Sequence, residues 1–523
     1  MMVPEEPQVL ENEEISISYI MSRKVWNRNK TDVDDIFAYN IALNVIENEE
    51  DQEPKSVNEC MHRKDWPKWK DVMQAELNLL MKREVFGPVV RTPEGIKPVG
   101  HKWVFIRKRN EKNEIVRYKA RLVAQGFSQR PEIDYEETYS PVVDANTFRY
   151  LISMYNRLSE YLLKEGYKND SICPCIFIKR SGPEYVIIVV YVDDLNIIGT
   201  PGELPRAIEY LKKGFEMKDL GKTKFCLGLQ IEHLKGGILV HQETYIEKVL
   251  KRLYMDKSHP MSTPMVVRSL DVEKDPFRPP TDNEYILDPG VPYLSAIGAP
   301  MFLAGHTRPD ISFSLNLLAR YSSCPTKRHW NGIKQIFRYL QGTKDLGLYF
   351  ANPSKTGLIG FADAGYLSDP HTGRSQTEYV FIVGGTAISW RSTKQTIAAT
   401  SSNHAEILAI HKASRECVWL RNVIQHIRGS CGIILDKELP TVLYEDNATC
   451  IAQLKEGYIK EDRTKHILPK FFFTHDLQKS GDISVQQVRS CENLADLFTK
   501  SLPNSTFQRL VRDIGMRRLK ELK

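Results

Sequence analysis

Eight consecutive apolar residues, Tyr185 to Val192 (YVIIVVYV), run into two adjacent carboxylates, Asp193 and Asp194, and a second apolar stretch, LNIIG, follows at once. A membrane-spanning helix needs about 20 apolar residues. Eight residues rich in valine and isoleucine instead make one buried β-strand. Strand, Asp-Asp, strand is a hairpin with carboxylates at its tip. Paired carboxylates at a tight turn can ligate a divalent cation through oxygen, the donor that Mg²⁺ prefers. Asp-Asp is also an ordinary polar turn, and from these residues alone both readings stand.

A chain of 523 residues exceeds what one core usually holds, so two or three domains are expected. With 41% apolar and 26% charged residues it is neither a disordered chain, a collagen-like fibre nor a membrane bundle. The net charge of +6 is unevenly spread. Residues 1–57 hold thirteen acidic and five basic side chains, a net of −8, which leaves 67 basic and 53 acidic in 58–523, a net of +14. Residues 1–57 read as a mostly flexible acidic leader with one apolar patch at Ile36–Ile46. The basic remainder suits a polyanionic partner. The start, MMVPEEPQVLENEE, lacks the basic and apolar blocks of a signal peptide. No pair among the nine cysteines has CxxC spacing. Reduced thiols in an intracellular protein, cytoplasmic or nuclear and away from membranes, are expected.

Along the chain, WPKWKDVMQAELNLLMKR has helical spacing, while HKWVFIRKR (101–109) and IVRYKARLVAQGF (115–127) read as a basic hairpin. YNRLSEYLLKEGY and PGELPRAIEYLKKGFEM are helical, and the Pro- and Asp-rich stretch 266–292 reads as an exposed connection. From about Thr356 the pattern is three strands (LIGFADA, YVFIVGG, AISWRS), a long helix, strand TVLYED and helix ATCIAQLKEG. Strand ISVQQVRS and a terminal helix NLADLFTKSL close this mixed α/β order.

The ordered string WPKWKDVMQAE, HKWVFIRKR, RYKARLVAQGFSQ, DYEETYSPV, YVDD, FCLGLQIE, QETYIEKVLKRL, HTRPDISFSLNLLARYSS and HWNGIKQIFRYLQGT resembles the reverse transcriptase of copia-type long-terminal-repeat retrotransposon polyproteins. The resemblance spans nearly all of 60–350. It implies an α+β polymerase of fingers, palm and thumb, with Asp193 and Asp194 as two of three catalytic, metal-binding carboxylates. In the fingers hairpin, Lys119 and Arg121 would either contact phosphate or be solvated strand charges.

Nucleotide addition uses two metal ions about 3.5–4 Å apart, so a third carboxylate must face the hairpin from a neighbouring strand. Here ETYSPVVDANTFRYLISM runs straight into YNRLSEYLLKEGY, and the family residues that carry that strand are absent at Met154–Tyr155. Between Phe148 and Tyr191 the acids are Asp170, Glu160, Glu165 and Glu184, none on a strand able to face Asp193. The expectation is a polymerase remnant that does not polymerise. Pro300, inside the helical run YLSAIGAPMFLAGH, is either a further sign of decay or a tolerated kink.

In the C-terminal part, FADAGY, GGTAISWRSTKQ, TSSNHAEI, LYEDNATCIA, RTKHI and NLADLFTKSL resemble the ribonuclease H domain of the same family over about 356–508, a mixed five-stranded sheet with helices. The resemblance implies four catalytic acids, Asp363, Glu406, Asp446 and Asp496, that hold two Mg²⁺ or Mn²⁺ ions. RNA, DNA and RNA–DNA hybrids would be the partners, together with other proteins of the element. Acids at strand ends and helix starts are common without such chemistry. Glu378 stands where the family usually shows Gly, at an expected strand start, and would strain the backbone if positive φ is needed there. His466 assists proton transfer or is a surface histidine, and Cys450 and Cys491 read as packing residues. The domains expected are therefore 1–57, 58–350 with the gap at 154/155, 356–508, and a basic tail 509–523. A non-catalytic nucleic-acid-binding remnant and a truncated gene-model product are the alternatives.

Overall fold

The computed structural model describes residues 33–47, 53–54, 56–82, 101–109, 115–124, 157–191, 194–288, 290–352, 357–433, 439–459 and 467–523. Its contacts divide the chain into two units, residues 48–161 and residues 1–47 with 162–523. Asp193 and His466 lie outside the described residues.

In the smaller unit, helix Trp66–Lys82 packs on an antiparallel hairpin of strands His101–Arg109 and Ile115–Ala124. Alternation along a strand sends every second residue to one face. Phe105, Arg107 and Ala120 go inward to Trp69, whereas Lys119 is half-buried and Arg121 exposed on the other face. Arg107 belongs to the basic run, yet it is buried, with its guanidinium 2.6 Å from the Asp65 carboxylate and over the ring of Trp69.

The described part of the larger unit opens with α1 (Asp35–Glu47), so the apolar patch within the leader read as mostly flexible is a helix. Phe37, Ile41 and Val45 recur every fourth residue, one helical stripe, and all are buried. The hairpin follows as β1 (Ile176–Ser181), β2 (Glu184–Tyr191) and β3 (Asp194–Gly199), antiparallel throughout, with the short strand Lys168–Asn169 outside β1. Among the described residues β3 has no strand on its outer edge. Next come α2 (Glu203–Gly214), β4 (Leu229–Leu234), β5 (Gly237–His241), α3 (Glu243–Arg252), α4 (Tyr293–His306), α5 (Lys327–Gly342) and β6 (Leu346–Ala351). α4 continues through the buried Pro300. At Gly298 a Cβ would lie 2.8 Å from both Ile41 and Phe37, so glycine is what admits α1 against α4.

Among the described residues of 266–292 there is no helix or strand, but the segment is not simply exposed. Arg268, Asp275 and Phe277 are buried. The Arg268 guanidinium donates to Asp275 at 2.9 Å and to the Ser368 carbonyl at 2.7 Å, which straps this segment to the C-terminal sheet.

That sheet is β7 (Leu358–Asp369), β8 (Arg374–Val383), β9 (Thr386–Lys394), β10 (Thr441–Glu445) and β11 (Ile483–Gln487), in the order β9-β8-β7-β10-β11. β7, β8 and β9 are antiparallel, and β10 and β11 run parallel to β7, the mixed five-stranded sheet expected. Helices α6 (Ser402–Cys431), α7 (Ala448–Glu456) and α8 (Leu468–Ser480) pack on it. The sequence reading lacked α8, and the expected terminal helix is a 3-10 turn over Leu494–Phe498 followed by α9 (Asn504–Asp513). Alternation along β7 sends Ala362 and Ala364 to a core with Ile407, Ile410 and Phe471, and Phe361 to a second core. That second core includes Ile41, Ile246, Ile297, Phe302 and Phe337. The expected boundary at 350/356 therefore does not separate two compact units: one hydrophobic core runs through both sides of it.

Nor are residues 509–523 a tail. β12 (Met516–Arg518) pairs with β6, and Arg518 Nε lies 2.9 Å from Asp345. No helix among the described residues is long and apolar enough to cross a membrane.

Candidate metal centre

The site is built where β7 and β10 lie side by side. Their parallel register pairs Phe361 with Tyr444. Two residues further on, Asp363 comes level with Asp446, the residue just past the end of β10. Gly360 makes the close approach possible, since a Cβ there would sit 2.5 Å from the Phe381 ring and 2.7 Å from Leu443. Glu406 arrives from α6. Ser401 caps that helix by accepting from the His404 N–H, which starts the helix where Glu406 falls in its second turn.

Asp363, Glu406 and Asp446 each offer a carboxylate oxygen, and these atoms lie within 4.8 Å of one another. Among the described residues they are the one such group able to hold a metal ion. Asp363 is 2% and Glu406 6% exposed, and an oxygen of each has no hydrogen-bond partner. Burial pushes the Asp363 carboxyl up to about 6, with Lys500 opposing and Asp496 adding to the rise. Burial, then the neighbouring Glu445 and Asp363, holds Glu406 well above the usual carboxylate range. Buried acids that repel one another and lack partners are what a divalent cation relieves, and oxygen donors suit a hard ion.

The fourth expected acid, Asp496, sits on the 3-10 turn and is engaged differently. Lys500, four residues on, places its ammonium 2.5 Å from Asp496 and 3.6 Å from Asp363. The charges of Asp363 and Asp496 hold that ammonium's pKa up against burial.

Three further charged residues border the site. Glu445 is fully buried beside Asp446, with one oxygen bonded by the Asn447 N–H and the other unpartnered. Glu378 lies directly opposite Asp363 in the β7–β8 ladder. It is in mid-strand rather than at a strand start and has no positive φ, so the expected backbone strain is absent. The anomaly is electrostatic instead: Glu378 is fully buried, neither carboxylate oxygen has a partner, and burial holds its pKa well above the ordinary range. Lys500 is the third. Its spacing from Asp496, one helical turn, was the available signal. Cys450 packs in the core as expected, whereas Cys491 is exposed.

Asp194 is exposed and joins no metal-binding group among the described residues. Asp170 is buried and accepts from the N–H groups of Ile172 and Cys173, a local turn role.

A family model described as "Reverse transcriptase (RNA-dependent DNA polymerase)" matches residues 84–157 and 152–267, two pieces that meet at 152–157. The chain is 30% identical over 531 residues to the Retrovirus-related Pol polyprotein from transposon TNT 1-94 of Nicotiana tabacum, covering 89% of this chain and 39% of that protein. It is also 30% identical over 238 residues to a Putative transposon Ty5-1 protein of Saccharomyces cerevisiae, covering 45% of this chain and 74% of the relative. The chain thus spans well under half the length of the tobacco polyprotein. Among solved structures, LC11-RNase H1, isolated from compost, overlays 30% of this chain and 99% of its own at 18% identity and a TM-score of 0.21.

Proposed function

The chain belongs to the retrotransposon Pol polyproteins that carry a reverse transcriptase region, and from that premise we propose that its C-terminal sheet is a divalent-cation-dependent ribonuclease for RNA–DNA hybrids while its polymerase region is inactive. One observation carries the first half: Asp363, Glu406 and Asp446 converge within 4.8 Å, and Glu406 Oε2 is buried there without a hydrogen-bond partner.

Those three residues would hold the ion, Mg²⁺ or Mn²⁺ by the family resemblance. Once bound, the ion supplies Lewis-acid activation of water and neutralises phosphate charge. The net reaction adds water across a phosphodiester: the phosphorus–O3′ bond breaks, leaving a 5′-phosphate and a 3′-hydroxyl. Glu406 and Asp363, both buried, fix the donor oxygens where bulk water does not compete. The exposed Lys500 flank, 47% accessible at its side chain, is where the hybrid backbone would approach. RNA would be distinguished from DNA by its 2′-hydroxyls.

The second half rests on the hairpin. A polymerase centre needs a third carboxylate from a strand facing the Asp-Asp tip. Supporting its loss, the family match is split at 152–157, β3 is an edge strand among the described residues, and the nearest upstream aspartate, Asp170, is tied into its own turn. Lys119 and Arg121, neighbours on the outer face of the fingers hairpin, remain as backbone contacts for the nucleic acid.

The test is cleavage of a labelled RNA–DNA hybrid by the full chain with Mg²⁺, beside a DNA duplex of the same sequence. Shortening of the RNA strand alone supports the reading. An intact hybrid, or equal cutting of the duplex, refutes it.

A further inference from the structure

The family reading assigns four acids to two ions, yet three of the acids converge here and the fourth is held by a lysine. We propose that the site takes a single divalent cation at Asp363, Glu406 and Asp446, and that the Lys500 ammonium stands where a second cation would sit. This rests on the ribonuclease reading and departs from its two-ion form.

The geometry separates the acids into two sets. Asp363, Glu406 and Asp446 bring oxygens within 4.8 Å of one another, and Asp496 is outside that group. Glu406 Oε2, on a residue 6% exposed, is buried without a hydrogen-bond partner, which marks where a cation is wanted. Asp496 instead has the Lys500 ammonium at 2.5 Å, and the same nitrogen reaches Asp363 at 3.6 Å. Lys500 therefore bridges the two carboxylates that a second ion would have to share. Divalent ions in such pairs sit about 3.5–4 Å apart, a spacing that leaves no room for the ammonium beside both.

The contact is anchored as well as electrostatic. The 3-10 turn that carries Asp496 is pinned by the Ser392 hydroxyl donating to the Phe498 carbonyl at 2.7 Å. Asn493 donates to the Ala362 carbonyl at 2.8 Å, which ties the start of the turn to β7 beside Asp363. One residue past Lys500, the Ser501 hydroxyl accepts from the Arg268 N–H at 2.6 Å. The lysine thus extends from a segment fixed on both sides. A lysine carries one positive charge and three donors, against two charges and several oxygen ligands for a metal ion. Such a site would keep charge neutralisation at Asp496 while needing only one ion from solution.

The experiment is a calorimetric titration of the metal-free full chain with Mn²⁺, which reads binding without requiring activity. Wild type should take up one ion. Lys500→Ala should admit a second, at least about tenfold tighter than any second event in wild type. Lys500→Arg, which keeps the charge, should remain at one. Adding Asp496→Asn to Lys500→Ala should return the count to one. Two ions in wild type, or one in Lys500→Ala, would overturn the assignment of Lys500 and leave the ribonuclease reading standing. No ion in any variant would overturn both.

Discussion

The two carboxylate groups of this chain contrast in how they are built. The hairpin pair comes from adjacent residues in sequence, and its described member, Asp194, is exposed at the tip of an edge strand. The C-terminal group comes from three elements some forty residues apart, and Asp363 and Glu406 are buried there. Adjacent acids give a recognisable motif, of which Asp194 joins no metal-binding group among the described residues. Dispersed acids give no recognisable motif, yet three of them bring carboxylate oxygens within 4.8 Å of one another. What distinguishes the second group is its framework, since a parallel β7–β10 register and a capped helix bring its acids together.

The largest effect should come from exchanging one acid in each group. Asp446→Asn should lower Mg²⁺-dependent hybrid cleavage by about a hundredfold or more, a barrier change of about 3 kcal/mol. Asp194→Asn should leave it unchanged. A comparable loss in both would break the comparison.

The next effect tests whether the regions are separate bodies. Arg308 and Asp310 are fully buried, with Arg308 Nη2 at 2.7 Å from the carboxylate and the Tyr339 hydroxyl at 2.5 Å from it. Arg308→Met leaves Asp310 a buried, unpaired charge and should cost about 3–5 kcal/mol in urea unfolding. Because the helices around it share a hydrophobic core with β7 and β8, hybrid cleavage should be lost at a lower urea concentration in step with the fold. Cleavage that survives after these helices melt would show two independent bodies.

Glu378→Gln sharpens the electrostatic side of the contrast. Burial raises the folded-state pKa of Glu378 above its unfolded value of 4.5. Its contribution is therefore fully retained below pH 4.5 and is lost as pH rises toward the folded value. The metal-free variant should match wild type near pH 4 and exceed it by about 1–3 kcal/mol near neutrality. A stability gap that does not change with pH would contradict the assignment.

The smallest effect lies in the fingers hairpin, where Arg121→Ala should reduce the salt dependence of nucleic-acid binding by about one phosphate contact. An unchanged slope would make Arg121 only a solvated strand charge.

Much of this architecture was legible because it is periodic. The continuous apolar run of β2 and the stripe Phe37, Ile41, Val45 follow from spacing alone, although the length of the acidic stretch around that stripe hid its helix. The four dispersed acids were legible through resemblance, since no spacing rule links residues forty apart. What stayed hidden depends on burial and register. Glu378 reads as a polar interruption of a strand until the ladder sets it opposite Asp363. Lys500 reads as a surface cation until the 3-10 turn aims it at Asp496. Arg107 reads as a basic-patch residue until strand alternation turns it inward to Asp65. Segment 266–292 likewise looks exposed by composition, and only the Arg268–Asp275 pair shows it to be a strap.

The central claim is an asymmetry between the two regions, and one reaction measures both. The full chain would be given a labelled RNA template annealed to a differently labelled DNA primer, with Mg²⁺ and deoxynucleotides. The account predicts that the RNA shortens while the primer keeps its length. Primer extension, with or without RNA cleavage, would contradict it.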